Sequence, residues 1–141
     1  MSAYGITNHR HNSEIQQELD LCTGKKNNFQ FTPHLTPMFR GILSTIYVDL
    51  KKGITKNKIN FVLQKYFKNE IFVKIAKQDT LLSTNDVINT NKCIISVCKS
   101  KQKDKLIILS VIDNLIKGGS GQAVQNMNIL YNFKENEGLN V

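Results

Sequence analysis

The sequence predicts a mixed α/β fold, a sheet with helices packed on it, and three observations carry that prediction. Runs rich in β-branched and apolar residues recur between polar turns. Segments with apolar residues at helical spacing stand among those runs. Two of the runs are separated only by a short polar turn, which marks a hairpin. At 141 residues with 40% hydrophobic content, the chain has the size of one ordinary domain and enough apolar surface for a real core.

The elements follow in order. Residues 3–8 (AYGITN) read as the end of a strand that delivers the chain to His9, Arg10 and His11. A helix follows, with Ser13 and Gln16 spaced as a capping box, Ile15, Leu19 and Cys22 on one face, and Gly24 as the stop. Residues 29–32 read as a short strand ended by Pro33. Residues 41–50 (GILSTIYVDL) are too apolar for a surface edge and predict a long, well-buried strand. Thr55 can cap a second helix whose face is Ile59, Val62, Leu63 and Tyr66. Residues 71–75, 92–100 and 105–112 are three further strands, the last two joined around residues 101–104 as the hairpin. Lys117, Gly118, Gly119, Ser120 and Gly121 form a flexible lead-in, a hinge with little resistance, to a loosely held helix beginning near Ser120. Val124, Met127, Leu130 and Tyr131 are its apolar stripe.

Composition excludes several classes of function. No stretch approaches the roughly 18 to 20 apolar residues of a membrane span, and the first residues lack a secretory core, so a soluble cytoplasmic protein with no membrane partner is expected. The three cysteines, Cys22, Cys93 and Cys98, are odd in number and form no CxxC pair. That argues against a disulfide framework and against a zinc site or other metal centre. Reduced thiols are expected, with Cys93 and Cys98 packed in an apolar run. The net charge of +8 invites a nucleic-acid partner, but no aromatic-studded basic groove or RNP-like motif supports one, and none is expected. Scattered Lys with abundant Asn and Ile is what AT-rich codon usage produces.

Against that lysine excess the two arginines, Arg10 and Arg40, are informative. They stand where a planar fork suits a carboxylate or phosphate, or they are chance survivors. NHRHNSEI places two imidazoles and a guanidinium where a strand end meets a helix start, a usual place for chemistry. His9 and His11, two apart on extended chain, point to opposite sides, so one serves as acid or base and the other orients or binds. Glu14, in the first helical turn, can fix an imidazole tautomer. A polar loop with a helix cap is the plain alternative. FTPHLTPMFRG stiffens its loop with both prolines and could hold Arg40 ready for an anion, or could be a structural crossover. KGGSGQAVQNMN offers exposed N–H groups at a helix start but is neither a P-loop nor a GxGxxG turn. Gln122, Gln125 and Asn126, at i, i+3 and i+4, make one amide-rich face, which an ordinary solvated face also explains.

Taken together, NHRHNSEI, FTPHLTPMFRGILSTIY, TNKCIISV and IDNLIKGGSGQAVQNMN resemble the N-acetyl-gamma-glutamyl-phosphate reductase family of arginine biosynthesis. The resemblance implies an enzyme that uses NADPH to convert an acyl phosphate to an aldehyde through a cysteine thioester. It implies a Rossmann domain joined to a dimerising α/β domain like the carboxy-terminal domain of glyceraldehyde-3-phosphate dehydrogenase, with a late helix returning to the nucleotide domain. The chain departs from that pattern in lacking the phosphate-binding glycine loop and a cysteine in an Asn-Pro-Gly-Cys setting. It therefore resembles the carboxy-terminal half alone, inactive by itself. Residues 1–118 correspond to the substrate and dimerisation domain, and 119–141 to the closing helix, whose stripe is then only partly covered. The resemblance further implies catalytic roles for His9, His11 and Glu14, and substrate contacts for Tyr4, Arg10 and Arg40. Gly121, Gln122, Gln125 and Asn126 would lie near the nicotinamide of NADP. A homodimer and a small acyl-phosphate substrate are the implied partners. A free-standing dimeric ligand-binding or interaction module of the same fold is the second reading.

Overall fold

β-branched runs form strands because their side chains pack well on a pleated surface, and four such runs build one sheet here. The computed structural model describes residues 1–141 and divides into two compact units, Met1–Phe39 and Arg40–Val141.

In the larger unit, β3 (Ile42–Asp49), α2 (Lys56–Tyr66), β4 (Val73–Ile75), β5 (Cys93–Lys99), β6 (Lys105–Ile112) and α3 (Gly121–Leu130) follow in sequence. The sheet order is β3-β6-β5-β4. β5 and β6 pair antiparallel, Cys93 opposite Ile112 and Lys99 opposite Leu106, so the expected hairpin is present. β4 joins β5 in parallel. The two central strands supply most of the core: Val97, Cys98, Leu106 and Val111 are buried, with Phe72 and Val87 packed beside them.

β3 is a strand as expected but not a buried one. It pairs along its whole length with β6, Ile42 opposite Ile112 and Asp49 opposite Lys105, and stands at the sheet edge. Leu43 is 48% exposed and Tyr47 73%. The cause is lopsided cover, since α2 packs chiefly against β5 and β4. A continuous apolar run demands cover on both faces, and in this unit only Ser44 and Val48 of the strand are half-buried.

α2 shows a related inversion. Thr55 caps α2 as expected, its side chain accepting from the Lys58 N–H at 3.2 Å. The predicted face is rotated, however, because Val62 and Tyr66 are exposed while Asn60 is buried beside half-buried Ile59 and Leu63. In α3 the stripe is only partly covered, as expected, with Val124 half-buried, Met127 45% and Leu130 74% exposed and Tyr131 exposed as well. The buried residues are Gly121, Gln125 and Asn128. Asn128 donates its Nδ2–H groups to the carbonyls of Glu135 and Glu137, at 3.1 and 2.9 Å. Those bonds fold the carboxy-terminal residues back, and the Asn91 N–H reaches the Asn140 carbonyl at 2.9 Å. Nor is the lead-in to α3 loose. Residues 116–120 form a wide π-type turn closed by Gly118 N–H to Asp113 O and Ser120 N–H to Leu115 O.

In the smaller unit, β1 (Ser2–Ala3) pairs antiparallel with β2 (His34–Leu35). The expected strand over 3–8 stops early because Gly5 takes a φ of 55° and the chain turns there. The strand expected at 29–32 falls instead just beyond Pro33, whose carbonyl accepts from the Tyr4 N–H. α1 (His11–Thr23) begins before Ser13, so no capping box forms, and the Ser13 hydroxyl donates back to the Arg10 carbonyl at 2.9 Å. Gly24 stops the helix in the left-handed region as expected. Leu19 and Cys22 are exposed, and α1 buries no residue fully. After Gly24, Asp20 clamps the turn by accepting from the Asn27 N–H at 2.7 Å, the bond that chiefly holds its carboxyl below the ordinary value. No helix is long and apolar enough to cross a membrane.

Asn128→Ala removes the donor of two bonds that hold residues 135–137. We expect a loss of about 1–3 kcal/mol in urea unfolding, with faster hydrogen exchange at the Asn91 amide as the direct sign that the tail has lifted.

Candidate functional site

The predicted site residues fall into a cluster in each unit. In the smaller unit the turn at Gly5 returns the chain so that the His9 N–H donates to the Gly5 carbonyl at 3.0 Å. The half-buried His9 ring then meets Tyr4 edge-on with centroids 5.2 Å apart, Phe31 at 5.3 Å and His11 at 4.8 Å. A methyl on Gly5 would stand 3.1 Å from His9 Cβ and Cδ2, so glycine is needed there for space as well as for its φ. His9 Nδ1 accepts the His11 backbone N–H at 3.2 Å, and the His9 carbonyl accepts the Asn12 N–H at 2.9 Å. His9 thus satisfies two of the donors that open α1, the work expected of Ser13. Glu14 stands with a carboxylate oxygen 3.7 Å from His11 Nε2, both side chains well exposed. Arg10 is exposed at the head of α1. The structure thus brings Tyr4, His9, His11 and Glu14 together and adds Phe31, which carries no sequence motif.

In the larger unit Arg40 meets an internal carboxylate. Its Nη2 donates to Asp113 Oδ1 at 2.8 Å and stands 2.7 Å from Oδ2, and Asp113 is fully buried. Asp113 also accepts the N–H groups of Asn89 at 2.8 Å, Leu115 at 2.9 Å and Ile116 at 3.1 Å. Burial works against its charge, but Arg40 and the three backbone donors outweigh it and hold the carboxyl below its ordinary value of 3.8. Beside the pair, Asn114 Oδ1 accepts the Gly41 N–H at 2.6 Å. A Cβ on Gly41 would come within 2.6 Å of Thr84 Cβ, so the chain at Gly41 lies directly against Thr84 with no room for a side chain.

At the start of α3 a cleft of about 240 Å³ is lined by Asn89, Ile116, Ser120, Gly121, Val124 and Asn140, among others. The amide face read from the sequence is divided between two sides of the helix. Gln122 Nε2 donates to Asn126 Oδ1 at 3.0 Å on the exposed side. Gln125 points inward, accepting from Asn91 at 2.9 Å and Lys117 at 2.7 Å and donating to Glu135 at 2.7 Å. Burial lowers the tendency of Lys117 to hold its proton, partly offset by nearby Cys93, Glu135 and Glu70. Its ammonium also sits 5.4 Å from the centre of the Phe72 ring. Gly121 is obligatory, since a Cβ there would lie 2.5 Å from both Asn91 Oδ1 and Ile116 Cγ2.

Sequence reasoning missed Asp113, Asn91 and Lys117 as organisers of this cluster. Asp113 was open to detection, being a carboxylate at the end of an apolar strand run with an arginine to match. Asn91 and Lys117 had no such signal.

Comparison with known proteins adds four findings. A family model described as semialdehyde dehydrogenase, dimerisation domain, matches residues 1–114. N-acetyl-gamma-glutamyl-phosphate reductase of Staphylococcus aureus (strain USA300) is 46% identical over 140 residues, 99% of this chain and 41% of that protein. The protein of the same name from Thermoanaerobacter pseudethanolicus is 45% identical over 141 residues, 100% of this chain and 41% of its own length. The chain therefore spans about two fifths of the length of these relatives. Aspartate semialdehyde dehydrogenase II from Vibrio cholerae shares the fold, with a TM-score of 0.61 at 15% identity over 87% of this chain and 37% of that one.

Asp113→Asn should destabilise the larger unit by roughly 3–5 kcal/mol, because it removes the buried negative charge on which Arg40 and three backbone N–H groups converge. A carboxyl held below 3.8 contributes stability above that pH and loses it as the pH falls through the lower folded value. Unfolding followed from pH 7 down to pH 2 should show that loss in the parent, with a shallower acid slope in Asp113→Asn.

Proposed function

The chain belongs to the semialdehyde dehydrogenase dimerisation-domain family, and on that premise we propose that it is the substrate-handling and dimerising part of an NADP-dependent N-acetyl-gamma-glutamyl-phosphate reductase of arginine biosynthesis. The observation that carries this reading is the 45–46% identity extending over the whole chain. The complete enzyme would reduce N-acetyl-gamma-glutamyl phosphate to the semialdehyde through a thioester on a cysteine that this chain does not contain. Hydride addition to a thioester develops an oxyanion, which calls for a hydrogen-bond donor and a proton source beside it. His9 and His11, with Glu14 beside the second, are the groups suited to supply them. Tyr4 lines the same cluster. Arg10, exposed at the head of α1, suits the anionic end of the substrate. Arg40 serves the site by holding the chain at the start of β3 through Asp113.

The surroundings of α3 fit a nicotinamide cofactor in part. When bound, NADPH supplies the hydride. Gly121 and the exposed amide pair of Gln122 and Asn126 offer polar groups at a helix start for it to meet. Gln125 is committed inward, and its role is to anchor α3 through Asn91, Lys117 and Glu135. The outward stripe of Met127, Leu130 and Tyr131 suits docking on a nucleotide-binding domain. The uncovered β3, with Ile42, Leu43, Ile46 and Tyr47 all exposed, suits a two-fold interface with a second copy. A cytoplasmic setting agrees with three free thiols.

Alone, the chain should show no phosphate-dependent reduction of NADP with the semialdehyde; measurable turnover by the pure protein would contradict the reading. The positive test is a chimera in which this chain replaces the matching segment of the Staphylococcus aureus enzyme. We expect reductase activity, and a fall of about 10²- to 10⁴-fold on His11→Ala. An inactive but folded and dimeric chimera would overturn the assignment. Light scattering should find a dimer of the 141-residue chain, with Ile46→Glu and Tyr47→Glu shifting it to monomer while the circular dichroism is unchanged.

A further inference from the structure

We propose that His9 acts as a fixed hydrogen-bond donor through Nε2–H, its form set by the His11 backbone N–H and its ring positioned by Phe31. The functional part rests on the reductase reading; the state of the ring is a property of the smaller unit alone.

The argument begins at the start of α1. The His11 backbone N–H can only donate, and at 3.2 Å it points at His9 Nδ1. That nitrogen must therefore present its lone pair, so the neutral ring carries its proton on Nε2. An imidazole in that form has no lone pair on Nε2 with which to take a proton. As an imidazolium it would set an N–H on Nδ1 against the N–H of His11, breaking the bond that opens the helix. A proton cycle on His9 thus works against α1, whereas a hydrogen bond donated from Nε2 leaves the fold untouched. A neutral imidazole that polarises a developing oxyanion is sound chemistry for such a group. His11 is under no such constraint. Its ring is exposed, and Glu14 stands 3.7 Å from Nε2, where it can pair an imidazolium.

The ring would still swing about its side-chain bonds without walls. Tyr4 and Phe31 meet it at 69° and 66°, both as edge-to-face contacts, and Gly5 lies close enough to exclude even a methyl group. Tyr4 and Gly5 are tied to the backbone on either side of the turn, Tyr4 through Pro33. Phe31 is the wall contributed from the far side of the smaller unit's sequence, and its loss leaves the ring free on that side.

The same chain holds an internal reference. His34 Nδ1 lies 3.2 Å from the Thr32 carbonyl, which can only accept, so His34 takes the opposite form with its proton on Nδ1. Long-range imidazole correlations of the nitrogen-15-labelled 141-residue chain at pH about 8, where an ordinary histidine is neutral, read both rings at once. We expect one pure form for His9, bare at Nδ1, with a scalar coupling across the hydrogen bond to the His11 amide nitrogen. Phe31→Tyr should preserve both signals. Phe31→Leu should give a mixture of tautomers at His9 and abolish the coupling, with the larger unit's amide spectrum unchanged. Phe31→Met, which keeps bulk without a ring, reads the same way if the leucine variant fails to fold. A parent His9 with its proton on Nδ1, or as an even mixture, overturns the proposal. A folded Phe31→Leu or Phe31→Met with the parent's tautomer and coupling overturns the role of Phe31. A pure His9 signal beside a dead chimera would discard the reductase reading alone, and a mixed signal beside an active chimera would discard this proposal alone.

Discussion

A single buried carboxylate organises the larger unit. Asp113 stands at the end of β6 and gathers Arg40 from the start of β3, Asn89 from the segment before β5, and Leu115 and Ile116 from the turn that leads to α3. A carboxylate removed from water is tolerable only when its lone pairs are filled, and here four separate residues fill them. Each donor is thereby fixed in space relative to the others. The chain can leave the sheet in only one direction, and α3 begins where that direction takes it. The geometry of the cleft beneath α3 is thus a consequence of how one charge is kept satisfied.

The same economy explains why α3 carries polar residues inward. Gln125 and Asn128 are buried and hydrogen-bonded in ways that apolar side chains cannot imitate. A polar network holds a helix at one rotation, because turning it by one residue leaves several groups unpaired at once. The apolar side chains are then displaced to the outside, and β3 at the sheet edge adds to that surface. Such an arrangement is unfavourable for an isolated globule and reasonable for a part of a larger assembly.

What the sequence made legible was local. The Thr55 cap, the Gly24 stop and the hairpin between β5 and β6 depend on neighbours a few residues away, and each stands where composition put it. Periodicity found both helices of the larger unit but misjudged the inward side of α2, where Asn60 is buried and Val62 and Tyr66 are exposed, because it measures segregation of side chains and not which side is covered. The long apolar run of β3 was read as buried for the same reason: cover need not come from the same unit. Ser13 lost its capping role to His9, whose reach back to His11 depends on the turn at Gly5. Tyr4, His9, His11 and Glu14 were grouped only by the family resemblance; their spacing was read as placing His9 and His11 on opposite sides of an extended chain, whereas α1 opens at His11 and the two rings meet with centroids 4.8 Å apart. Phe31 and Asp113 were not anticipated, since each acts on a residue far along the chain or across a turn with no pattern of its own.

The sheet order also has a consequence for how the protein is made. β3 has a single strand partner, β6, and the innermost pair of that ladder, Asp49 with Lys105, joins residues 56 positions apart. A ribosome adding about 5–20 residues per second leaves β3 without its partner for several seconds after it emerges. Through that interval a flat, β-branched segment is exposed to every other nascent chain nearby, the condition under which strands pair with the wrong neighbour. Lys51 and Lys52, directly after the segment, place charge where a mispaired strand would extend. In biosynthesis, as distinct from the finished molecule, they are the guard on an edge that waits for its partner.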